Sequence, residues 1–163
     1  MAETTESDIE TDGPPAPPSG DELAGPTAAV DEADAAPDPH GLADLVGRLS
    51  AAAAESARAA LAVLSVVLRD GEQVRDLAVG RLNGAGGVVA LTDQRLVLTS
   101  DRAFKADAVE FLLAEGLEVS GWQDGDQATI VIVDANDSAT LDEIIDRSSA
   151  QRLALGVSEA LGD

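Results

Sequence analysis

The side chains that usually carry chemistry are scarce in this 163-residue chain, which contains no Cys and only one His, His40. Without Cys the chain forms no disulfide, thiolate metal site or iron–sulfur cluster, and it has no thiol nucleophile. With His40 as its single imidazole, it also lacks the usual side chain of general acid–base catalysis. These absences argue against most enzyme classes.

Two short motifs resemble ligand-binding loops, but each lacks a residue that the ligand requires. Residues 84–87 read Gly-Ala-Gly-Gly, yet Val88 follows where a phosphate-binding loop needs Lys and then Ser or Thr. Residues 134–138 have the oxygen spacing of the start of a calcium loop, but Ala139 replaces the required Gly and Ile145 replaces the bidentate Glu. We therefore expect both segments to be turns, with no metal and no cofactor.

The remaining carboxylates also have simpler explanations than catalysis. Asp124 and Asp126 flank a Gly and are close enough in sequence to bind a cation weakly, but Asp-Gly between two strands is explained by turn geometry. Nothing in the sequence indicates a partner base or an apolar pocket that would shift the pKa of Glu110, Glu115 or Glu118. We therefore expect these three carboxylates on solvated strand surfaces. The sequence thus predicts a protein that is not an enzyme.

The basic residues offer one candidate ligand patch, composed of Arg81, Arg102 and Lys105 on two predicted loops. Arg95 has two possible roles, either reading a ligand or pairing with Asp93 to hold a turn, and the pattern favours the pair. Trp122 likewise has two possible roles: it either fills one end of the core or stands exposed as an anchor for a partner.

The charge balance disfavours polyanionic partners. The chain carries 31 acidic and 10 basic residues, a net charge of −21, whereas nucleic acids and anionic membranes require clustered Lys and Arg. All seven Pro precede residue 41, in a segment that contains no Lys or Arg. This composition predicts that residues 1–40 form a disordered acidic tail, which serves either as a solubilising leader or as an interaction segment.

The sequence contains no recognisable signal for export or membrane insertion. The N-terminus has neither a basic region nor an apolar core of the kind found in secretory signal peptides. The longest apolar stretch, residues 51–68, is interrupted by Glu55 and Arg58 and is too short to cross a bilayer. A cytoplasmic location is the expectation that follows.

Residues 41–70 have apolar side chains at steps of three and four, which predicts one long helix, or two, rich in Ala. The part from 60 to 68 is apolar nearly all round and is expected to be buried. The earlier part has a thinner stripe, which either packs on its own domain or binds a partner or second copy. The candidate partner-binding residues of this stripe are Leu42, Leu45, Val46 and Leu49, which we expect to be dispensable for the fold.

After Gly71 the apolar period changes from helical spacing to alternation, which indicates strands. A first strand ends at Asn83-Gly84, a dipeptide that favours a type I′ turn. Short strands at regular spacing, followed by a last helix with apolar residues from Ala150 to Leu161, indicate a small barrel or sandwich. The predicted strands span 74–82, 88–92, 95–99, 108–114, 117–122 and 127–133.

Residues 139–145 allow two interpretations. Thr140 and Glu143 match a capping box that would start the final helix at residue 141, whereas a strand here would complete the sheet. We predict the strand, because its absence would expose a sheet edge, and because Ser148 and Ser149 offer a later helix cap.

The order of these elements resembles the bacterial pleckstrin-homology-like domains of the YokE-like PH family, over about residues 60–161. The resemblance rests on the opening Gly71-Glu72-Gln73-Val74 and on the Leu-Thr-Asp-Gln-Arg-Leu turn of residues 91–96. It implies a mainly β (α+β) fold, namely a bent antiparallel barrel of about seven strands with a C-terminal capping helix. The organisation would be a tail at 1–40, a helix at 41–70 and the barrel at 71–163.

The same resemblance implies binding or scaffolding rather than catalysis. Related domains hold phosphoinositide headgroups with Lys and Arg around the first hairpin, but here residues 81–87 contain only Arg81. The favoured hypothesis is a module that binds a protein partner or a second copy of itself. The alternative is a peripheral lipid-binding module that uses Arg81, Arg102 and Lys105; its weakness is that the long helix has a neutral polar face where an interfacial helix should be basic.

Overall fold

The computed structural model describes residues 38–102 and 108–162. The chain divides into a unit of Met1–Ala36 and a unit of Pro37–Asp163, and the described helices and strands belong to the second unit. Almost all of the predicted tail at 1–40 lies outside the described residues, as does Lys105.

Three short helices precede seven strands and a final helix. The helices are α1 (Leu42–Val46), α2 (Ala51–Ser56), α3 (Arg58–Val67) and α4 (Arg147–Leu161). The strands are β1 (Val74–Leu82), β2 (Ala85–Thr92), β3 (Arg95–Ser100), β4 (Ala108–Leu112), β5 (Glu118–Asp124), β6 (Gln127–Val133) and β7 (Ser138–Ile144).

The strands form one seven-stranded sheet in the order β4-β3-β2-β1-β7-β6-β5. All neighbouring strands are antiparallel, and β4 and β5 are the edge strands. The seven antiparallel strands and the C-terminal helix implied by the resemblance are thus present. The hairpin between β1 and β2 turns at Asn83 and Gly84, whose φ angles of 53° and 79° are the positive values of the predicted type I′ turn.

The segment 138–144 is a strand, which confirms the prediction that this stretch completes the sheet. The following helix starts at Arg147, and its N-cap is Asp146 rather than the predicted Ser148 or Ser149. The Asp146 carboxylate accepts hydrogen bonds from the backbone N–H groups of both serines, and hydrogen bonds led by that from the Ser148 hydroxyl lower its pKa. An Asp cap fits this position because a carboxylate can serve two donors at once.

Residues 41–70 form three short helices rather than the one long helix, or two, that the apolar spacing predicted. The helix stops at Gly47, and Ser50 starts a new one by accepting a hydrogen bond from the backbone N–H of Ala53 at 3.2 Å. A further break occurs at Ala57, between α2 and α3. Glycine favours helix ends and Ser competes with the helix by capping, so a continuous apolar period is not enough to make one helix.

The β2 and β3 strands are buried on both faces, which explains their nearly continuous apolar sequence. One face packs against α1–α3, in a helix-side core whose fully or largely buried members are Leu45, Ala53, Ala57, Ala60, Leu64, Leu68, Val74, Leu77, Val79, Val88, Ala90 and Val97. The opposite face packs under α4, in an α4-side core whose buried members are Ala78, Leu82, Val89, Leu91, Leu96, Leu98, Phe111, Leu117, Ala128, Ile130, Ile132, Leu141, Ile144, Ala150, Leu153 and Val157.

A close approach of β1 and β7 depends on Gly80. A Cβ atom at this position would lie 2.4 Å from the backbone oxygen of Asp142. The pairing of β7 with β6 is irregular in the same region, and Glu143 has a φ of 50° there. A bulge of this kind bends a strand, and the missing side chain at Gly80 leaves room for the bend.

No helix in the described part of the chain is both long and apolar enough to cross a membrane.

Candidate functional site

The predicted partner-binding residues of the first helix lie against their own sheet. Leu45 is buried in the helix-side core, and Leu42, Val46 and Leu49 are partly buried against it. These residues cover part of one face of the sheet, so the structure gives them a packing role, and their dispensability for the fold stays a prediction. Val46 also borders a shallow groove on the outside of the helical layer. A contact of this layer with a partner stays a prediction.

The structure brings Arg81 and Arg102 together at the first hairpin. The Arg81 guanidinium donates to the backbone oxygen of Gly84, and Arg102 donates to that of Asn83 at 3.4 Å. Both cations thus contact the turn itself. The third member of the predicted patch, Lys105, lies outside the described residues.

The cleft beside this hairpin is not cationic. It has a volume of about 470 Å³, and its charged lining residues are Arg81, Asp101 and Glu143. Arg81 Nε lies 3.9 Å from the Glu143 carboxylate. Two carboxylates against one guanidinium leave no excess positive charge for a phosphate.

Arg95 is fully buried, and its predicted pairing with Asp93 is wrong. Its side chain and that of Glu72 both have no exposed surface, and two hydrogen bonds of 2.8 Å join them. Asp93 instead accepts a hydrogen bond from the backbone N–H of Gln73 at 3.0 Å. The motif pattern contained both Glu72 and Arg95 but did not indicate that they meet.

Several further contacts hold this ion pair. Arg95 donates to the backbone oxygen of Val67 at 3.0 Å and forms a salt bridge with Glu110, while the Thr92 hydroxyl lies 2.8 Å from Glu72. Hydrogen bonding from Arg95 lowers the pKa of Glu72 to about 2, despite burial, which acts in the opposite direction. Both side chains are closed to solvent, so a ligand in solution cannot contact this ion pair.

Trp122 lies on the edge strand β5 and is 55% exposed, so the interpretation of this residue as a core plug is wrong. It borders a cleft of about 430 Å³ between β5, β6 and α4. The cleft is lined by Gly121, Trp122, Gln123, Ala128, Thr129, Ile130, Ala150, Gln151 and Ala154.

A second cleft continues this one along α4, because Gln151 and Ala154 line both. Val119, Leu155 and Ser158 complete its lining, and Leu155 is 65% exposed. We call the two together the β5–α4 groove. Sequence reasoning identified Trp122 but missed Leu155, since an exposed Leu on a helix is recognisable only when the neighbouring strand is known.

Metal binding has no support in the described residues: between 38 and 102 and between 108 and 162, no three His, Asp or Glu side chains are grouped to hold an ion. Of the segment 84–87 interpreted as a turn, only Gly84 lies in the turn of the first hairpin, and the strand β2 already begins at Ala85. The segment after β6 is a turn, in which the Asp134 carboxylate accepts hydrogen bonds of 2.7 Å from the backbone N–H groups of Asn136 and Asp137.

The comparisons with known proteins give a likeness to solved structures only. No family model and no curated protein matches the chain. Among solved structures, the chain matches a DUF1696 family protein with a pleckstrin-homology domain from Shewanella loihica PV-4, with 18% identity and a TM-score of 0.40. The match covers 65% of this chain and 96% of the other.

Proposed function

We propose that this protein is a non-catalytic binding module that docks an extended segment of another protein in the β5–α4 groove. The observation that carries the proposal is the position of this groove beside an edge strand. An edge strand has backbone N–H and C=O groups without a ladder partner, and these groups are a template for a further strand. A partner segment would pair with β5 and place its side chains against α4.

The lining of the groove supports recognition of side chains as well as backbone. On the α4 side, Val119 and Ala154 are partly buried and Leu155 is largely exposed, while the largely exposed Trp122 projects from the other face of the same edge strand. Exposed apolar side chains beside a cleft are typical of binding surfaces, and Trp is frequent among the residues that dominate binding energy. The outer face of β1–β3, by contrast, is already covered by α1–α3.

The charged groups of the chain favour binding over catalysis. Glu72 has a carboxyl pKa of about 2, but its side chain is closed to solvent and held by Arg95. A catalytic acid or base must reach a substrate, and this carboxylate cannot. The β5–α4 groove itself is lined by apolar, amide and hydroxyl side chains rather than by acidic or basic ones.

Selection from a random peptide library on the full-length protein tests this proposal. We expect selected peptides to bind Leu155→Asp at least about tenfold more weakly than the parent protein, because the new charge would face the docked segment. Val66→Asp is the matched control, since Val66 is an 81% exposed aliphatic residue on α3. Peptides that bind the two variants and the parent equally would show that the groove is not the docking site.

Lipid binding by Arg81, Arg102 and Lys105 is the alternative function. It draws on the proximity of Arg81 and Arg102 at the first hairpin. The excess of carboxylates in the lining of the adjacent cleft and the net charge of −21 favour the protein-binding proposal over it.

A further inference from the structure

The charges on the edge strand β5 indicate which kind of partner segment fits the β5–α4 groove. We infer that the groove takes a basic strand from a different protein, in which Lys or Arg alternates with apolar residues. This inference rests on the proposed function and adds the chemistry of the partner.

The two faces of β5 differ in chemistry. Side chains alternate along a strand, so Glu118, Trp122 and Asp124 share one face, while Val119 and Gly121 share the other. The second face is the α4 side, because Val119 pairs with Ile132 and Gly121 pairs with Ile130, which belong to the α4-side core. A strand added beside β5 would follow the same alternation.

Apolar residues of the added strand would face α4. There they would meet Val119, Ala154 and Leu155, which line the groove. Burial of apolar surface on this side supplies the non-directional part of the binding energy.

Residues on the other face of the added strand would lie beside carboxylates. Glu118 and Asp124 are exposed and stand at the two ends of β5, with Asp126 in the following turn. Arg147 is a basic neighbour of this turn, and its guanidinium lies 3.5 Å from the backbone oxygen of Gly125 rather than on a carboxylate. Lys or Arg at these positions of the partner would complement the carboxylates, and one placed near the exposed Trp122 ring would gain a cation–π contact.

A second copy of this chain does not fit the same edge. Residues 118–127 contain Glu118, Asp124 and Asp126 but no Lys or Arg. Antiparallel pairing of two β5 strands about Gly121 would set Glu118 of each strand opposite Asp124 of the other. Like charges directly opposite each other destabilise a strand pair, so the charge pattern favours a basic partner over self-pairing.

Trp122 makes the inference testable by fluorescence, because it is the only Trp in the chain. The ligand is a seven-residue peptide of alternating Lys and Val, which matches the seven residues of β5. The control peptide has the same composition, but its Val residues are contiguous in sequence. We expect the alternating peptide to shift the Trp122 emission and to bind about tenfold more tightly than this control peptide. Equal binding would show that only the net charge of the protein attracts the peptide, and would overturn the inference.

Two further peptides test charge and binding mode separately. A peptide of alternating Glu and Val should not bind, because its carboxylates would face Glu118 and Asp124. A Lys–Val peptide that is N-methylated at alternate residues should also lose binding, since strand addition needs its backbone N–H groups. Retained binding of either peptide would contradict the inferred basic strand.

On the protein side, Glu118→Lys with Asp124→Lys should reverse the preference from the Lys–Val to the Glu–Val peptide. Asp44→Lys with Asp70→Lys is the matched control, because it changes the net charge equally at exposed sites in the N-terminal helical region. A reversal by the control pair would overturn the inference, as would self-association of the full-length protein that Leu155→Asp abolishes. If the library peptides need Leu155 for binding but contain no basic residues, the inference of a basic strand is wrong, whereas the proposed function is supported.

Discussion

Arg95 and Glu72 face each other in a fully buried ion pair, with Nε and Nη2 of Arg95 each 2.8 Å from one carboxylate oxygen of Glu72. Glu72 belongs to the loop before β1, and Arg95 begins β3. The pair therefore joins the two short motifs that carry the resemblance to pleckstrin-homology-like domains. Since Arg95 also contacts the end of α3 through Val67, the helices and the sheet share this junction.

Breaking this ion pair should destabilise the fold strongly. Glu72→Gln leaves the Arg95 charge buried without its main partner, and we expect a loss of about 3–5 kcal/mol in the free energy of unfolding. Replacing both residues with Met should cost less than the sum of the single replacements, because no unpaired charge remains. Urea denaturation followed by circular dichroism measures these energies.

The matched control is the exposed pair of Arg58 and Glu55, with side chains 77% and 66% exposed. Glu55→Gln should leave the urea midpoint nearly unchanged, since surface ion pairs contribute little. If the double replacement of Glu72 and Arg95 lowers the free energy of unfolding by the sum of the two single losses, the two side chains do not stabilise each other as a buried ion pair.

The same pair predicts a dependence of stability on pH. The pKa of Glu72 is lowered from 4.5 to about 2 in the folded protein, so the unfolded chain binds the proton more readily. The stabilisation is thus complete above about pH 5 and is lost as the pH falls towards 2. The shift corresponds to roughly 3 kcal/mol.

The difference in unfolding free energy between the parent and Glu72→Gln isolates this contribution from the other carboxylates. It should shrink as the pH is lowered from about 5 to 2. As the control, Glu118→Gln changes an exposed carboxylate on β5 and should show no such trend. A constant difference across this range would mean that Glu72 is not the titrating group.

The sequence predicted the strands well because alternation and turn dipeptides are local signals. Asn83-Gly84 identified the first hairpin, and the choice of a strand at 139–145 followed from the need to complete the sheet. The prediction of a long helix was wrong because the apolar period continues through Gly47. Only the hydrogen bond from the backbone N–H of Ala53 to the Ser50 hydroxyl shows where a new helix starts. Local pattern cannot weigh such a cap against continued helix.

The site was only partly predictable, because its contacts are distant in sequence. Glu72 and Arg95 are 23 residues apart, and they meet only through the folding of β1 and β2 between them. Trp122 was recognised as a candidate anchor, but the groove beside it needs the placement of α4 against β5. Such a placement depends on tertiary packing, which residue spacing does not encode.

Replacing Gly80 with Ala should destabilise the pairing of β1 with β7. The added Cβ would lie 2.4 Å from a backbone oxygen of Asp142, which cannot move without shifting β7. We expect a loss of about 1–3 kcal/mol or more, as for other overpacked sites. Gly47→Ala is the control, because its φ of −62° suits any residue. Equal melting temperatures for Gly80→Ala and the parent would show that the sheet does not need this close approach.

Anionic liposomes should fail to sediment the protein at physiological salt. Each surface Lys or Arg contributes only about 1 kcal/mol to membrane attraction, and the net charge of the chain is repulsive. Replacing Arg81, Arg102 and Lys105 with Glu should therefore change nothing in a co-sedimentation assay. Salt-sensitive sedimentation that this triple replacement abolishes would favour the lipid-binding alternative.

Removing residues 1–57 should destabilise the domain, contrary to the expectation from the apolar stripe alone. The deletion removes Leu45 and Ala53, which are buried in the helix-side core. It also removes the backbone oxygen of His40, which accepts a hydrogen bond of 2.9 Å from the N–H of Val74 at the start of β1. Loss of a single buried Leu side chain commonly costs about 2–5 kcal/mol, and this deletion uncovers part of a sheet face as well.

A chain that begins at residue 38 is the matched comparison, because it retains α1, α2 and the His40 contact. It also retains Asp38, whose carboxylate accepts hydrogen bonds of 3.0 and 2.8 Å from the backbone N–H groups of Leu42 and Ala43. We expect the chain from 38 to melt like the full-length protein and the chain from 58 to melt at a much lower temperature or not to fold. If both truncated chains melt alike, α1 and α2 contribute little to the fold, and Leu42, Val46 and Leu49 regain the docking role that their spacing suggested.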